Sequence, residues 1–214
     1  MYTLRSYFRS SASWRVRIAL NHKGLAYETV PVHLLKGGGE QHASHHHRLN
    51  PMEQLPVLLV DGVPLAQSLA VLEYLEERHP TPALLPTEPV LRARVRQLSE
   101  VVNSGIQPLQ NLFVMQQLGV QFGVAREAQQ AWSRFWIEHG LRALEELVGD
   151  TGGRCCVGDA VTFADLCLIP QLYNARRFSV AVDRLPRLLA IESRLVALPA
   201  FVLAHPDQQP DAEA

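Results

Sequence analysis

Cysteine is scarce in this 214-residue chain: three residues, with Cys155 and Cys156 adjacent and Cys167 alone. Three cannot make a disulfide framework. Without a C-x-x-C pair, neither a zinc ribbon nor a dithiol redox centre is supported, and the thiols are expected to be small buried or half-buried groups. Charge of one sign is lacking too: 20 Lys and Arg stand against 21 Asp and Glu, a formal net charge of −1 with His neutral. No strong field follows, which argues against nucleic acid and anionic membranes as partners. No apolar run reaches the ~18 residues of a membrane span. The opening Met1-Tyr2-Thr3-Leu4-Arg5 lacks the apolar stretch of a secretory signal. The expected setting is the cytoplasm, and the expected partner a small molecule or a protein. What is present is material for a core: 47% hydrophobic against 19% charged residues excludes a disordered chain, and the length fits one or two domains.

The two halves differ in rhythm. Residues 1–80 alternate short strand-like runs with helical stretches, and residues 90–214 read as helix after helix. Between them the prolines of segment 81–89 interrupt helix and sheet alike, so the domain linker is placed there. The tail from Pro206 to Ala214 is polar and is expected to be disordered unless it docks on the body. In the first half, Thr3–Tyr7 reads as a strand, Ser13–Lys23 as a helix closed by Gly24, and Tyr27–Leu34 as a strand. Lys36–Gly39 is a loop and Glu40–Leu49 a poorly defined helix. Val57–Val60 and Val63–Ala66 flank Asp61-Gly62, a hairpin signal, and Ser68–Arg78 is a helix with Leu69, Leu72 and Leu75 facing the core. The order β-α-β-α-β-β-α is a thioredoxin-like layout, giving an α/β N-terminal domain plus an all-α C-terminal domain. In the second half, a helix over Ala125–Val148 is expected to bury Trp132, Phe135, Trp136, Leu144 and Leu147. Thr162-Phe163-Ala164-Asp165 forms a capping box at the start of another helix, and serves folding rather than chemistry.

A thioredoxin-like layout offers one site by construction, where the loop after the first strand meets the first helix. Unpaired amides and the positive end of the helix dipole favour an anion there by a few tenths to ~2 kcal/mol. The sequence places Arg9-Ser10-Ser11-Ala12-Ser13-Trp14-Arg15 at that point, three hydroxyls between two guanidiniums. One serine suffices for an N-cap; three can also donate to a thiolate or carboxylate. Arg15 and Arg17 lie inside the helix and read as structural or rim residues. Gln67-Ser68 opens the next helix and is either a cap or a second carboxylate site. At Leu55-Pro56, a cis bond would turn the Leu55 backbone toward a peptide-like ligand. His42, His45, His46 and His47 suggest a metal, but consecutive side chains on a helix diverge, and only His42 and His46 are spaced to pair. They read as a solvated polar face, with no metal.

Ser10-Ser11-Ala12-Ser13-Trp14-Arg15-Val16-Arg17-Ile18-Ala19-Leu20 resembles the signature of the zeta class of glutathione transferases, the maleylacetoacetate isomerases. Leu49-Asn50-Pro51-Met52, Gln67-Ser68-Leu69-Ala70 and Gly105 to Leu112 extend the likeness. So do Cys156 to Asp159, Ala164 to Leu168, and His205-Pro206 followed by Gln209-Pro210-Asp211, so it runs in order over nearly the whole chain. The resemblance implies the glutathione transferase architecture, glutathione as cofactor and a homodimer. It implies that Ser10 and Ser11 hold the glutathione sulfur; it does not decide between them, and Ser11 is taken here as the closer partner. Gln67 and Ser68 would bind the γ-glutamyl end, the Leu55 backbone the cysteinyl unit, and Gln41 the glycyl end. Gln107 and Asn111 would face the site from the helical domain, and Arg177 and Arg9 would hold a dicarboxylate substrate. The implied activity is cis–trans isomerisation of 4-maleylacetoacetate to 4-fumarylacetoacetate in tyrosine and phenylalanine catabolism. The rivals are maleylpyruvate isomerisation, a general zeta-class transferase acting on electrophiles or α-haloacids, and a non-catalytic glutathione-binding module. The last would be expected to lose Ser10, Ser11 or Gln67-Ser68, and all are present. One departure matters: Ala12 stands where the family has Cys. That disfavours a dehalogenation resolved by a protein thiol, and leaves isomerisation untouched.

Overall fold

The computed structural model describes residues 1–212, in two compact units. The first unit comprises Met1–Leu84 and the segment from Val196 onward, and the second is Leu85–Leu195. The chain's last segment was expected with the helices of 90–214. It packs instead with the sheet, because α9 (Pro199–Ala204) lies along α1 (Ser11–His22).

In the first unit, strands β1 (Tyr2–Ser6), β2 (Tyr27–Pro31), β3 (Val57–Val60) and β4 (Val63–Ala66) form one sheet in the order β2-β1-β3-β4. β1 and β2 are parallel, joined through α1; β3 is antiparallel to β1 and to β4. Asp61 and Gly62 turn the hairpin with φ of 48° and 88°, the double positive φ that a tight right-twisting hairpin requires. β2 ends at Pro31, short of Leu34, although Val32 still donates to the Ser6 carbonyl at 2.8 Å. The expected helix over Glu40–Leu49 is broken. A 3-10 turn at Glu40–His42 and the short α2 (Ser44–His47) are separated by extended Ala43. α3 (Ser68–Arg78) has the expected bounds but buries Val71, Leu72 and Leu75, with Leu69 only half-buried. Lys23 follows α1 with its ammonium buried, donating to Glu76 Oε2 at 2.7 Å and to the carbonyls of His79 and Pro82 at 2.6 and 2.8 Å. That ties segment 79–82 to the sheet unit.

The C-terminal tail is docked. A 3-10 turn at Pro206–Gln208 follows α9, and Gln209 is buried, donating to the carbonyls of Leu203 and His205 at 3.0 and 2.9 Å. The two final positions of the tail lie outside the described residues.

The second unit is helical: α4 (Pro89–Glu100), α5 (Leu112–Phe122), α6 (Arg126–Leu147), α7 (Phe163–Arg177) and α8 (Pro186–Leu195). A π turn (Val101–Ile106) and a 3-10 turn (Gln107–Gln110) join α4 to α5. α7 is the buried axis. Asp165, fully buried, accepts from the Thr162 amide and hydroxyl at 2.8 and 2.9 Å and from the Cys156 amide at 2.8 Å. The capping box is therefore present, and it also secures the preceding loop. All three cysteines are buried; burial pushes the Cys155 thiol up to about 12 and Cys156 well above its ordinary value. The expected aromatic stripe of α6 is wrong: Trp132 and Phe135 are 41% and 58% exposed. Of the expected stripe α6 buries Leu144, and with it Ser133, Ile137, Gly140, Leu141 and Glu145. Size decides this, since a Cβ on Gly140 would stand 2.3 Å from Ile106 Cγ1. Small residues let the π turn approach, and the indoles are left at the margin. Among the described residues, no helix is long and apolar enough to cross a membrane.

Candidate active site

Ser10 is the N-cap of α1. Its backbone is extended, its hydroxyl accepts from the Ser13 amide at 3.2 Å, and its amide donates to the Tyr7 carbonyl at 3.0 Å. The helix therefore starts two residues before the expected Ser13. Ser11, at the first helical position, is buried. No acid lies in the first turn, so no carboxylate of that turn neutralises the positive end of the helix. Ser10 supplies the cap, and Ser11 and Ser13 bring two further hydroxyls to this turn. Arg9 flanks it. Its guanidinium donates to the Tyr7 hydroxyl at 2.9 Å and lies 4.9 Å from the Phe8 ring centroid.

Gln67 and Ser68 open α3. Ser68 is buried, and its hydroxyl accepts from the Arg15 guanidinium at 3.1 Å. Arg15 is wholly buried, structural rather than at the rim, and it links the start of α3 to α1. Gln67 sits at φ 67°, ψ 109°, a region that costs a non-glycine residue ~1–3 kcal/mol and recurs at binding sites. Its amide donates to Gln54 Oε1 at 3.3 Å. The Leu55-Pro56 bond is cis, and Leu55 precedes the β3–β4 ladder, which begins at Val57. The Leu55 side chain packs with Tyr7, Phe8 and Val32.

Gln41 is buried beside Gly39, its Nε2 3.4 Å from the Leu34 carbonyl and 3.0 Å from His42 Nε2. Its Oε1 is buried with no hydrogen-bond partner. The histidines do not behave alike. His42 and His47 converge on one carboxylate, Glu53, at 2.5 and 3.0 Å, and hold its pKa below the ordinary value. His42 does not share a helix with His46, so that expected pairing is absent. His46 departs from the solvated face as well, being fully buried.

His46 Nδ1 accepts from Arg5 Nε at 3.3 Å, which makes Nε2 the protonated nitrogen, 3.2 Å from the Gln54 carbonyl. Burial chiefly, with Arg5 adding to it, holds this imidazole below its ordinary 6.5. The unfolded chain thus binds the proton at a pH where the folded chain does not. The stabilisation is complete above that ordinary value and is lost as pH falls through it toward the folded one. The melting temperature of wild type should exceed that of His46→Gln most at about pH 7.5, the gap narrowing toward about pH 5.5. A gap independent of pH would show that the ring is not held neutral.

In the helical unit, Asn111 is the N-cap of α5, its Oδ1 accepting from the Phe113 amide at 2.9 Å. Gln107 is half-buried in the 3-10 turn. Of the two arginines ending α7, Arg176 is held by Glu192 in a bidentate pair at 2.6 Å for each bond. Arg177 is exposed, with Asn174 Oδ1 3.3 Å from its guanidinium. Arg17, read from the sequence as structural or rim, and Asp211, named there only within the family resemblance, both hold the loop before Ser10, through the Phe8 carbonyl and amide.

Residues 1–77 match the family model described as the glutathione S-transferase N-terminal domain. The chain is 51% identical over 211 residues to the maleylacetoacetate isomerase of Rattus norvegicus, covering 99% of this chain and 95% of the relative. The crystal structure of maleylacetoacetate isomerase from Anaeromyxobacter dehalogenans, with bound GSH in its active site, superposes with a TM-score of 0.90 at 50% identity, covering 100% of this chain and 98% of the other. A zeta-class bacterial maleylpyruvate isomerase superposes with a TM-score of 0.94 at 40% identity, covering 99% and 100%. By full-length identity as well as by fold, the chain belongs to the maleylacetoacetate isomerase family, the zeta class of the glutathione transferases.

Proposed function

We propose that this chain is a glutathione-dependent isomerase that converts 4-maleylacetoacetate to 4-fumarylacetoacetate. The observation that carries the reading is Ser11, a buried hydroxyl at the first position of a helix whose opening turn has no acid and whose cap is already supplied by Ser10. The residues present fit the tripeptide. Gln41 Oε1 is a buried acceptor without a donor, as a peptide N–H would supply, and Gln67 is held in a strained conformation beside Ser68.

Glutathione, when bound, supplies a thiolate that adds reversibly to the conjugated double bond, which rotates as a single bond before the sulfur leaves. The chain's task is to keep that sulfur ionised and the substrate oriented. Ser11 donates to the sulfur, with Ser10 and the α1 terminus adding positive potential. Gln67 and Ser68 bind the γ-glutamyl carboxylate, the Leu55 backbone pairs with the cysteinyl unit, and Gln41 takes the glycyl end. Gln107 and Asn111 contribute from the helical unit. Arg177 and Arg9 hold the substrate carboxylates through charge-assisted bonds. Ala12 supplies no thiol, and none is needed.

The test is an absorbance assay of 4-maleylacetoacetate and maleylpyruvate side by side, with and without glutathione. Faster turnover of the first, dependent on glutathione, supports the reading. Preference for maleylpyruvate reassigns the substrate, and glutathione retention without turnover of either leaves a binding module. Arg177→Ala is expected to raise KM for the dicarboxylate about 10-fold to 100-fold, the equivalent of one or two charge-assisted bonds, with a smaller change in kcat. An unaltered KM removes Arg177 from the site. Family membership also supports placement in tyrosine and phenylalanine catabolism, in the cytoplasm, as a homodimer; analytical ultracentrifugation checks the last.

A further inference from the structure

The docked tail ends on the loop that precedes the serines. Asp211 Oδ2 accepts from the Phe8 amide at 3.0 Å. On the other side of the same residue, the Phe8 carbonyl accepts from the buried Arg17 guanidinium at 2.8 Å. Both polar groups of the Phe8 backbone are thus gripped, one by the tail and one by α1. Two residues later Ser10 begins the helix, tied back to the Tyr7 carbonyl at 3.0 Å. Ala212 packs on the cluster of Tyr7, Phe8, Val32 and Leu55. The tail therefore braces both the loop before Ser11 and the side chain of Leu55. Its own attachment is costly to loosen, because Gln209 is buried and His205 meets the Trp14 ring edge-on at 5.2 Å.

We propose that Asp211 is a positioning residue: by holding the Phe8 amide it fixes where Ser10 and Ser11 meet the ligand sulfur. This rests on the glutathione-dependent reading above. A backbone amide bound to a carboxylate is a strong fixed point, and displacement of about 1 Å in a reacting group lowers rates by up to about 100-fold. Asp211 itself holds the Phe8 amide, and its replacement removes that bond while leaving the Ala212 packing on the Leu55 cluster. Losing the Asp211 bond alone should therefore disturb sulfur ionisation more than tripeptide affinity.

The experiment compares wild type, Asp211→Ala and Asp211→Asn in the full chain. Asp211→Ala should lower kcat about tenfold and raise the pH at which bound glutathione ionises, read from the ultraviolet absorbance of its thiolate. KM for glutathione should change less than threefold. Asp211→Asn keeps an acceptor for the Phe8 amide and should recover most of the loss; it also serves if the alanine variant does not fold. The Phe8 amide should exchange with solvent at least tenfold faster in Asp211→Ala than in wild type. Unchanged thiol ionisation and unchanged exchange in Asp211→Ala would overturn the proposal, as would equal loss in both variants. Absence of isomerase turnover or of glutathione binding in wild type would instead overturn the functional reading, and the exchange measurement still decides the role of Asp211.

Discussion

Replacing Ser11 by alanine is expected to lower glutathione-dependent turnover at least tenfold while the fold is kept. A free thiol with a pKa near 8.5 is a few per cent thiolate at neutral pH. Depressing it by about 2 units corresponds to about 2.7 kcal/mol. A hydrogen bond to a charged group supplies about 1.5–3 kcal/mol and a helix terminus up to ~2 kcal/mol. The hydroxyl is thus worth at least half of the depression; its loss lowers the thiolate about threefold or more near pH 7 and about tenfold or more below about pH 5.5, and the sulfur also loses the bond that positions it. Folding should be spared for two reasons. Ser→Ala at a buried first-turn position opens almost no cavity, and the N-cap bond from the Ser13 amide runs to Ser10, not Ser11. Ser10→Ala should show the reverse emphasis, a stability loss of ~1 kcal/mol from the missing cap. The checks are kcat and the acid limb of the pH profile of kcat/KM, which should move to higher pH in Ser11→Ala. Turnover equal to wild type would eliminate Ser11 as the sulfur partner.

Where local chemistry decides the structure, the sequence was legible. The Asp61-Gly62 hairpin and α3 lie at the expected residues, because positive φ at two adjacent positions and a helix opening after them are demands that few residue types meet. Ser10 and Ser11 were recognisable as a helix start for the same reason, although the start lies two residues before Ser13. Where packing decides, legibility fell. Periodicity assigned Trp132 and Phe135 to the core of α6, but close approach of the π turn selected the face carrying Ser133 and Gly140. The tail looked like a polar appendage because nothing in its composition reveals that Asp211 meets an amide 203 positions away. His46 looked like its neighbours; only its inward turn toward Arg5 separates it from His42 and His47. These failures share one cause, long-range contacts, steric at Gly140 and polar at Asp211 and His46, for which neither hydrophobic period nor turn propensity carries a signal.

Arg17→Met is expected to be the most destabilising single change in the sheet unit. Arg17 is fully buried and donates to four oxygens: Ser6 Oγ at 2.9 Å and the carbonyls of Tyr7, Phe8 and Ala204 at 3.4, 2.8 and 3.1 Å. Those acceptors belong to β1, to the loop before Ser10, and to the end of α9, so one planar group joins three segments distant in sequence. Burial draws the guanidinium down to about 10, against the opposing influence of Tyr27 and Asp211, so it stays charged at neutral pH. Methionine restores most of the apolar volume and none of the donors. Each buried acceptor left without a donor costs about 1–3 kcal/mol. The Tyr7 carbonyl retains the Ser10 amide, and removing a buried charge returns part of its desolvation cost. The net loss should be about 3 kcal/mol or more, a fall in Tm of about 6–12 °C for a chain of this length. Arg17→Lys should not rescue it, since one ammonium cannot span acceptors that a guanidinium fork reaches from both sides. Thermal unfolding followed by circular dichroism gives the answer. A loss below about 1 kcal/mol would mean that solvent reaches the four oxygens once the fork is gone. In that case the join between β1, the serine loop and α9 would rest on apolar packing of Trp14, Ile18 and Phe201 rather than on this guanidinium.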